Sequence, residues 1–430
     1  MTKRFRCFIA LLLALLLFNA TPALACGPIS LEAIFVFTVH PGYPLERFAA
    51  GRLGVVQPTY ARSYLYVAYR HLSDAGFTPE EQKALTQLWK ERLDYQWSAG
   101  EDDWIKRWLE ARQKVASGTP TISVYRSREK PNEYDSYINC TQDSFETAIT
   151  TLNDRLAKYG AQSESVRTWV AAQDEVFSNC GGASVIPAQL PADADDLMRA
   201  DRAYQIAAAN FYAANFDEAR NAFEAIGADN SSPWQRNALY LVARALTRKA
   251  SLGAPEQKDE SLRQAEAQLR KILSDPKLNS LHAASTRLLN LVRLRVDPAK
   301  RLTELAQILT TKSPNANLKQ DLTDYTVLLD GFLEKDETDP AQPAIPKEED
   351  LSDWIVTFQG GDEQARDHAL ARWQTTHSMP WLIASLSLID GKHAKASELT
   401  AEALKVKATS PGFASARFHA IRLLMEMNKT

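Results

Sequence analysis

"IAAANFYAANFDEARNAFEAI", residues 206–226, decides how the rest of the chain is read. The stretch reads as two helices in close succession. Ala207 places a small side chain where the two must touch, and Phe216-Asp217-Glu218-Ala219 opens the second. The same grammar returns in "WLIASLSLIDGKHAKASELTAEALKV", residues 381–406: Ala384 is the small contact, Gly391 the turn, and Ala396 and Ala403 pack the second helix. Between these two stretches, segments such as "ESLRQAEAQLRKILSDP" (260–276) and "LHAASTRLLNLVRLR" (281–295) each carry an apolar face at helical spacing. A helix with one apolar face must bury it against a neighbour, and a run of such helices does so by stacking.

Two of the units go further. Ala219 and Phe223, four residues apart, match the A-x-x-x-F spacing of the tetratricopeptide repeat, and the unit at 381–406 follows the same plan. The region 197–425 thus resembles a tetratricopeptide-like array in architecture and matches its motif in two units. Asn210 and Ser387 stand where that family prefers Tyr. The resemblance implies an α-solenoid with an extended binding face.

Upstream the helical signal continues. "TPEEQKALTQLWKERLDYQW" starts with a capping box, Thr78 followed three residues later by Glu81. In "EDDWIKRWLEARQKVA" two acids near the start favour the positive end of the helix dipole. "TPTISVYRSREKPNEYDSYIN" (119–139) loses the period and reads as a loop with one short strand near Ile122 to Tyr125. Glycine is scarce, 17 in 430 residues against an average of roughly 7%, which favours helix throughout. The expected fold class is all-α, an N-terminal helical domain followed by a tetratricopeptide-like α-solenoid. The expected boundaries are a signal peptide at 1–25, the N-terminal domain at 26–185 and a Pro-containing acidic linker at 186–196. Helical repeats follow at 197–334, then an acidic Pro-rich loop at 335–350 and further repeats at 351–430. That loop, "KDETDPAQPAIPKEED", holds three prolines and six acids against two lysines, a composition that stays solvated and extended.

The first residues carry an address. Lys3, Arg4 and Arg6 precede an uncharged apolar run from Phe8 to Phe18, and Ala23-Leu24-Ala25 follows. This is the layout of an export signal, and its apolar run is shorter than the roughly 20 residues of a membrane helix. Cleavage after Ala25 is expected to leave Cys26 first. Two readings stand: an ordinary peptidase site, or a bacterial lipoprotein signal with Cys26 as the lipid attachment point, which usually has Leu where Ala23 stands. Export places the remaining cysteines in an oxidising compartment. Helical segments at 143–159 and 165–177, joined by "GAQSES", form an antiparallel hairpin. Cys140 enters the first and Cys180 leaves the second, so both lie at one end, and a Cys140–Cys180 disulfide is expected. Cys26 is then the odd cysteine, modified, paired between chains, or bridged to one of the other two.

Chemistry is harder to find. The seven histidines, at 40, 71, 282, 368, 377, 393 and 419, form no zinc-type spacing, and no nucleophile elbow or phosphate-binding loop occurs. No metal and no cofactor are expected. Net charge is −3 with no basic block outside the first residues, which argues against nucleic acid as a partner. Tyr60, Tyr64, Tyr66 and Tyr69 crowd one helix; Tyr66, off the main stripe and flanked by Arg62 and Arg70, is the candidate lining of a ligand groove. The leading expectation is a non-catalytic exported scaffold that binds a protein or a peptidoglycan-associated partner in the bacterial envelope. A glycan- or small-ligand-binding outer-membrane lipoprotein is the alternative, and an envelope hydrolase with an unrecognised site is the second. The membrane enters only through the lipid anchor.

Overall fold

The computed structural model describes residues 41–42, 44–93, 102–130, 133–333 and 349–428. The signal segment 1–25, Cys26 and the acidic loop up to residue 348 lie outside the described residues. The helices are, in order, α1 (Leu45–Ala49), α2 (Arg62–Leu72), α3 (Pro79–Leu93) and α4 (Asp102–Arg112). A hairpin of β1 (Tyr125–Lys130) and β2 (Glu133–Ile138) follows. Then come α5 (Gln142–Tyr159), α6 (Glu164–Ser178), α7 (Asp196–Tyr212), α8 (Phe216–Ala228) and α9 (Gln235–Leu252). Next are α10 (Lys258–Ser274), α11 (Asn279–Val296), α12 (Pro298–Thr310) and α13 (Leu318–Leu333). The last are α14 (Asp350–Gly360), α15 (Glu363–Thr376), α16 (Met379–Leu388), α17 (Ala396–Lys405) and α18 (Phe413–Glu426). The fold is all-α apart from that hairpin. No described helix is long and apolar enough to cross a membrane.

The chain divides into two compact units. The described residues within 87–305 form one; the described residues up to 86 and from 306 onward together form the other. The expected N-terminal domain at 26–185 is therefore divided at residue 86, and the expected repeat block at 197–334 is divided at residue 305. No local pattern announces such a division, because it rests on contacts between segments more than two hundred residues apart in the chain.

In the 87–305 unit each helix from α4 to α11 packs on its neighbour in the chain, α4 on α5, α5 on α6 and so on. Stacked helical pairs are the arrangement that the periodicity implies. Their core runs continuously from Trp108 and Phe145 through Trp169 and Phe223 to Leu262 and Val292. Helices α5 and α6 begin and end within one residue of the expected segments. The hairpin is a difference from expectation: the strand expected at Ile122 to Tyr125 instead begins at Tyr125 and runs to Lys130, with Tyr125 opposite Ile138 and Arg126 opposite Tyr137. A strand needs its partner, and the partner lies in residues whose own periodicity is weak.

In the discontinuous unit, α2 packs against α13, α14 and α16, and all eleven of its residues are buried. A helix covered on every side must partner its polar groups internally, and α2 does so for its long side chains apart from the Arg70 Nε. Arg62 ion-pairs with Asp330 and donates from Nε to Gln359 at 3.1 Å. The Tyr66 hydroxyl donates to the Leu309 carbonyl at 3.1 Å, and Arg70 Nη1 donates to that carbonyl at 3.2 Å. The Tyr69 hydroxyl donates to Asp350 at 2.7 Å. Next to α2, the expected capping box is closed both ways. The Thr78 amide donates to Glu81 at 2.8 Å, and the Glu81 amide donates to Thr78 Oγ1 at 3.2 Å. The second oxygen of Glu81 accepts from the Asn315 amide at 3.0 Å, so a local cap also fastens a distant loop.

His419 on α18 is 6% exposed, and neither ring nitrogen has a hydrogen-bond partner among the described residues. Burial pushes its pKa down from 6.5 to about 4, with Arg422 adding to the effect. Above pH 6.5 the ring is neutral in both folded and unfolded chains, and its burial costs no protonation energy. As pH falls below 6.5 the unfolded chain takes up a proton that the folded chain refuses, so stability is lost down to about pH 4. At about 1.4 kcal/mol per unit, the loss between pH 6.5 and pH 5 is about 2 kcal/mol. Urea unfolding of the wild type and of His419→Leu at both pH values should show their difference changing by that amount. An unchanged difference would mean that the ring is hydrated or charged in the folded state.

Candidate ligand groove

The three residues expected to line a groove, Arg62, Tyr66 and Arg70, are 4%, 0% and 2% exposed. The fold corrects that expectation: they are internal fasteners of α2. Their polar ends, which suggested a ligand, are used by Asp330, Gln359 and the Leu309 carbonyl. Cys140 and Cys180 are joined in a disulfide, Cα to Cα 5.4 Å, at the shared end of the α5–α6 hairpin as expected.

The 87–305 unit carries a groove of about 570 Å³. One wall is α5, which contributes Asp143, Glu146, Thr147, Thr150 and Asp154; the other comes from Leu197 on α7 and from Pro233, Trp234 and Asn237 at the entry to α9. Helical spacing explains the wall: residues 143, 146, 147, 150 and 154 of α5 fall at i, i+3, i+4, i+7 and i+11 and share one face. The Thr147 and Thr151 hydroxyls donate back to the carbonyls of Asp143 and Thr147, at 2.7 and 2.8 Å. Their lone pairs therefore remain as acceptors. Asp154, Thr150 and Asn237 are exposed.

The floor is a buried charge cluster. Asp201 on α7, 1% exposed, accepts from Arg155 Nε at 2.6 Å and Nη2 at 2.9 Å, and from the Trp234 indole N–H at 2.9 Å. Trp234 stacks on Tyr204 with ring centres 4.1 Å apart. One carboxylate thus holds α5, α7 and the start of α9 together and fixes the indole at the groove.

Toward the disulfide, beyond the groove lining, a basic pair flanks the start of α5. Arg244 and Arg248, one turn apart on α9, stand beside Asp143 and Asn139. Arg244 donates to Asp143 at 2.8 Å. Arg248 donates to the Asn139 side chain and carbonyl, both at 2.6 Å, and its guanidinium lies 4.3 Å from the centre of the Phe211 ring. Burial lowers the Arg248 pKa to about 10, the neighbouring Tyr212 acting against the fall. Asn139 is a hub at this end: its amide donates to the carbonyls of Asn179, Cys180 and Tyr212. The disulfide beside it holds the same junction covalently.

None of these groove residues stood out in the sequence. The acids and threonines of α5 were a legible polar face, and beside the groove Arg244 and Arg248, four apart, were a legible basic pair on α9. Their meeting across α7 was not. Among the described residues, no group of three His, Cys, Asp or Glu side chains could hold a metal ion. A histidine–carboxylate contact does occur, in the discontinuous unit: His368 Nε2 lies 2.8 Å from Asp353. Arg372 pairs with both Asp350 and Asp353, and Asp350 also accepts from Tyr69 and from the Trp381 indole at 2.8 Å. These acids are occupied by donors that join α2, α14, α15 and α16. Comparison with protein-family models, with curated proteins and with solved structures finds no match. The groove must be interpreted from its own geometry.

Proposed function

We propose that this protein is an exported helical-repeat binding module whose groove holds an extended, polar segment of a partner protein in the bacterial envelope. The observation that carries this reading is the groove itself, a polar wall over a rigid buried floor. Hydroxyls, amides and acids at helical intervals suit a ligand that offers hydrogen-bond donors along its length. The Arg155–Asp201–Trp234 floor organises the site before binding, which lowers the ordering cost of capture. Exposed Asp154 favours basic side chains on the partner, while Glu146 already accepts from Arg107 and Gln142. The volume lies within the range of roughly 300–1,000 Å³ typical of ligand pockets. A glycan offers similar donors and is the second reading, supported by the threonine, asparagine and acid lining.

Export rests on the basic start, the apolar run and the Ala-x-Ala site, and the Cys140–Cys180 disulfide fits an oxidising compartment. A lipid on Cys26 belongs to the same proposal. One experiment tests the whole. The native chain is purified from envelopes, its N-terminal mass is read for a lipid on Cys26, and it is used as bait for envelope extract beside an Asp154→Arg, Thr150→Arg variant. Both positions are exposed, so the variant should fold normally and capture its partner about tenfold less, roughly 1.4 kcal/mol. Protease treatment of the extract should abolish capture. Loss of capture on glycan digestion alone would shift the reading to the glycan, equal capture by the variant would remove the groove from the proposal, and an unmodified Cys26 would remove the anchor.

A further inference from the structure

Among the described residues six arginines are buried: Arg62, Arg70, Arg112, Arg155, Arg202 and Arg301. Five of them have a carboxylate within 4.0 Å, respectively Asp330, Glu81, Asp174, Asp201 and Glu304. Arg202 does not. Its bonds run to three neutral oxygens: Nε to Gln205 Oε1 at 3.2 Å, Nη1 to the Ala188 carbonyl at 2.5 Å and Nη2 to the Thr168 carbonyl at 3.2 Å. A buried charge without a counter-charge is expensive, and folded proteins neutralise it with a side chain or a ligand. Burial lowers the Arg202 pKa, and the carboxylate that opposes this is exposed Glu175.

Arg202 borders a pocket of about 220 Å³ in the 87–305 unit, formed where α6 begins, where the chain approaches α7, and along α7 itself. Trp169, Leu190, Pro191 and Met198 give it apolar walls. The start of α6 also reaches it through Glu164 and Ser165, with Thr168 one turn further on. One feature favours negative charge at one end of the pocket, an arginine lacking an acid, whereas the start of α6 already carries Glu164 in its first turn. The three bonds of Arg202 leave one N–H on each terminal nitrogen, the number that a carboxylate takes.

We propose that this pocket binds a small monocarboxylate with a short apolar body, its carboxylate on Arg202 and its body against Trp169 and Met198. The volume has room for roughly seven water-sized groups, enough for a short fatty or aryl acid. Glu164 and Asp195 also line the pocket. Asp195 is committed to the Leu197 and Met198 amides and to the Tyr159 hydroxyl. Two fixed negative charges penalise a multiply charged anion more than a single one, which selects against phosphate.

The test uses the full chain and three probes at millimolar concentration: hexanoate, hexanamide and inorganic phosphate. Calorimetry should show hexanoate binding, a matching rise in melting temperature, and neither for hexanamide or phosphate. Arg202→Met should abolish binding, but Arg202 also fastens two carbonyls and the variant could misfold. Ala194→Phe, at a half-buried position in the chain approaching α7, fills the pocket and leaves Arg202 in place. It should weaken hexanoate binding about tenfold or more. No hexanoate binding to the wild type overturns the proposal. So does equal binding of hexanamide, equal binding of phosphate, or unchanged binding in Ala194→Phe.

Discussion

Asp201→Ala should destabilise the 87–305 unit by about 3–5 kcal/mol, the range found when one partner of a buried ion pair is removed. The Asp201 side chain is 0% exposed and that of Arg155 is 11% exposed. Without the carboxylate, the guanidinium stays in the interior with two donors unpaired, and the Trp234 indole N–H loses its acceptor. Asp201→Asn keeps one oxygen acceptor and removes the charge, so its cost should be smaller. Replacing both partners, Arg155→Met with Asp201→Leu, should recover much of the loss, because no charge is then stranded. Urea unfolding of the three variants measures this order. A cost for Asp201→Ala below about 1 kcal/mol would show that water reaches Arg155 and that the floor is not dry. Because the same carboxylate fixes Trp234, the single variant should also lose partner capture in the groove even at temperatures where it remains folded.

Removing the disulfide should cost about 4 kcal/mol in the loop-entropy account. Cys140 and Cys180 are 40 residues apart and close the whole α5–α6 hairpin. The Cys140→Ser, Cys180→Ser variant frees the unfolded chain and leaves two hydroxyls in a site where both cysteines are 0% exposed. The loss should appear as a lower urea midpoint with a steeper slope, because the unfolded chain without the cross-link exposes more surface. A second readout is local: the Asn139 hub bonds to the Asn179 and Cys180 carbonyls, so hydrogen exchange should rise first at the start of α5 and the end of α6. Stability within about 1 kcal/mol of the wild type would mean that the helix packing alone already restricts the hairpin.

The legible part of this protein is what short-range spacing encodes. The A-x-x-x-F unit at Ala219 and Phe223, the apolar stripes and the low glycine content pointed to stacked helices, and α8 opens at Phe216 as read. Thr78 and Glu81 are three residues apart and announced a capping box that both members complete. Cys140 and Cys180 could be paired because a helical hairpin has only two ends. The β-hairpin was missed apart from Tyr125, since β1 is recognisable only beside β2.

The functional readings fared differently, because a polar side chain advertises its chemistry and not its surroundings. Arg62, Tyr66 and Arg70 carry the same groups whether they line a groove or fasten a core. Their partners, Asp330 and the Leu309 carbonyl, lie 268 (330 − 62), 243 and 239 residues away. The groove has the same origin. Asp143 and Arg244 are 101 residues apart, and Arg155 and Asp201 are 46 apart. Arg202 is the converse case, since a missing counter-charge cannot be read until every neighbour is placed. Sequence alone determined the helical class, the helix positions, a cap and a disulfide, since each is an interaction within a few turns or one hairpin. Only the tertiary structure decided that residues up to 86 join those from 306 onward, and which charges are buried, paired or left facing a pocket. Those outcomes depend on desolvation, and desolvation is a property of the assembled neighbourhood rather than of any local stretch of chain.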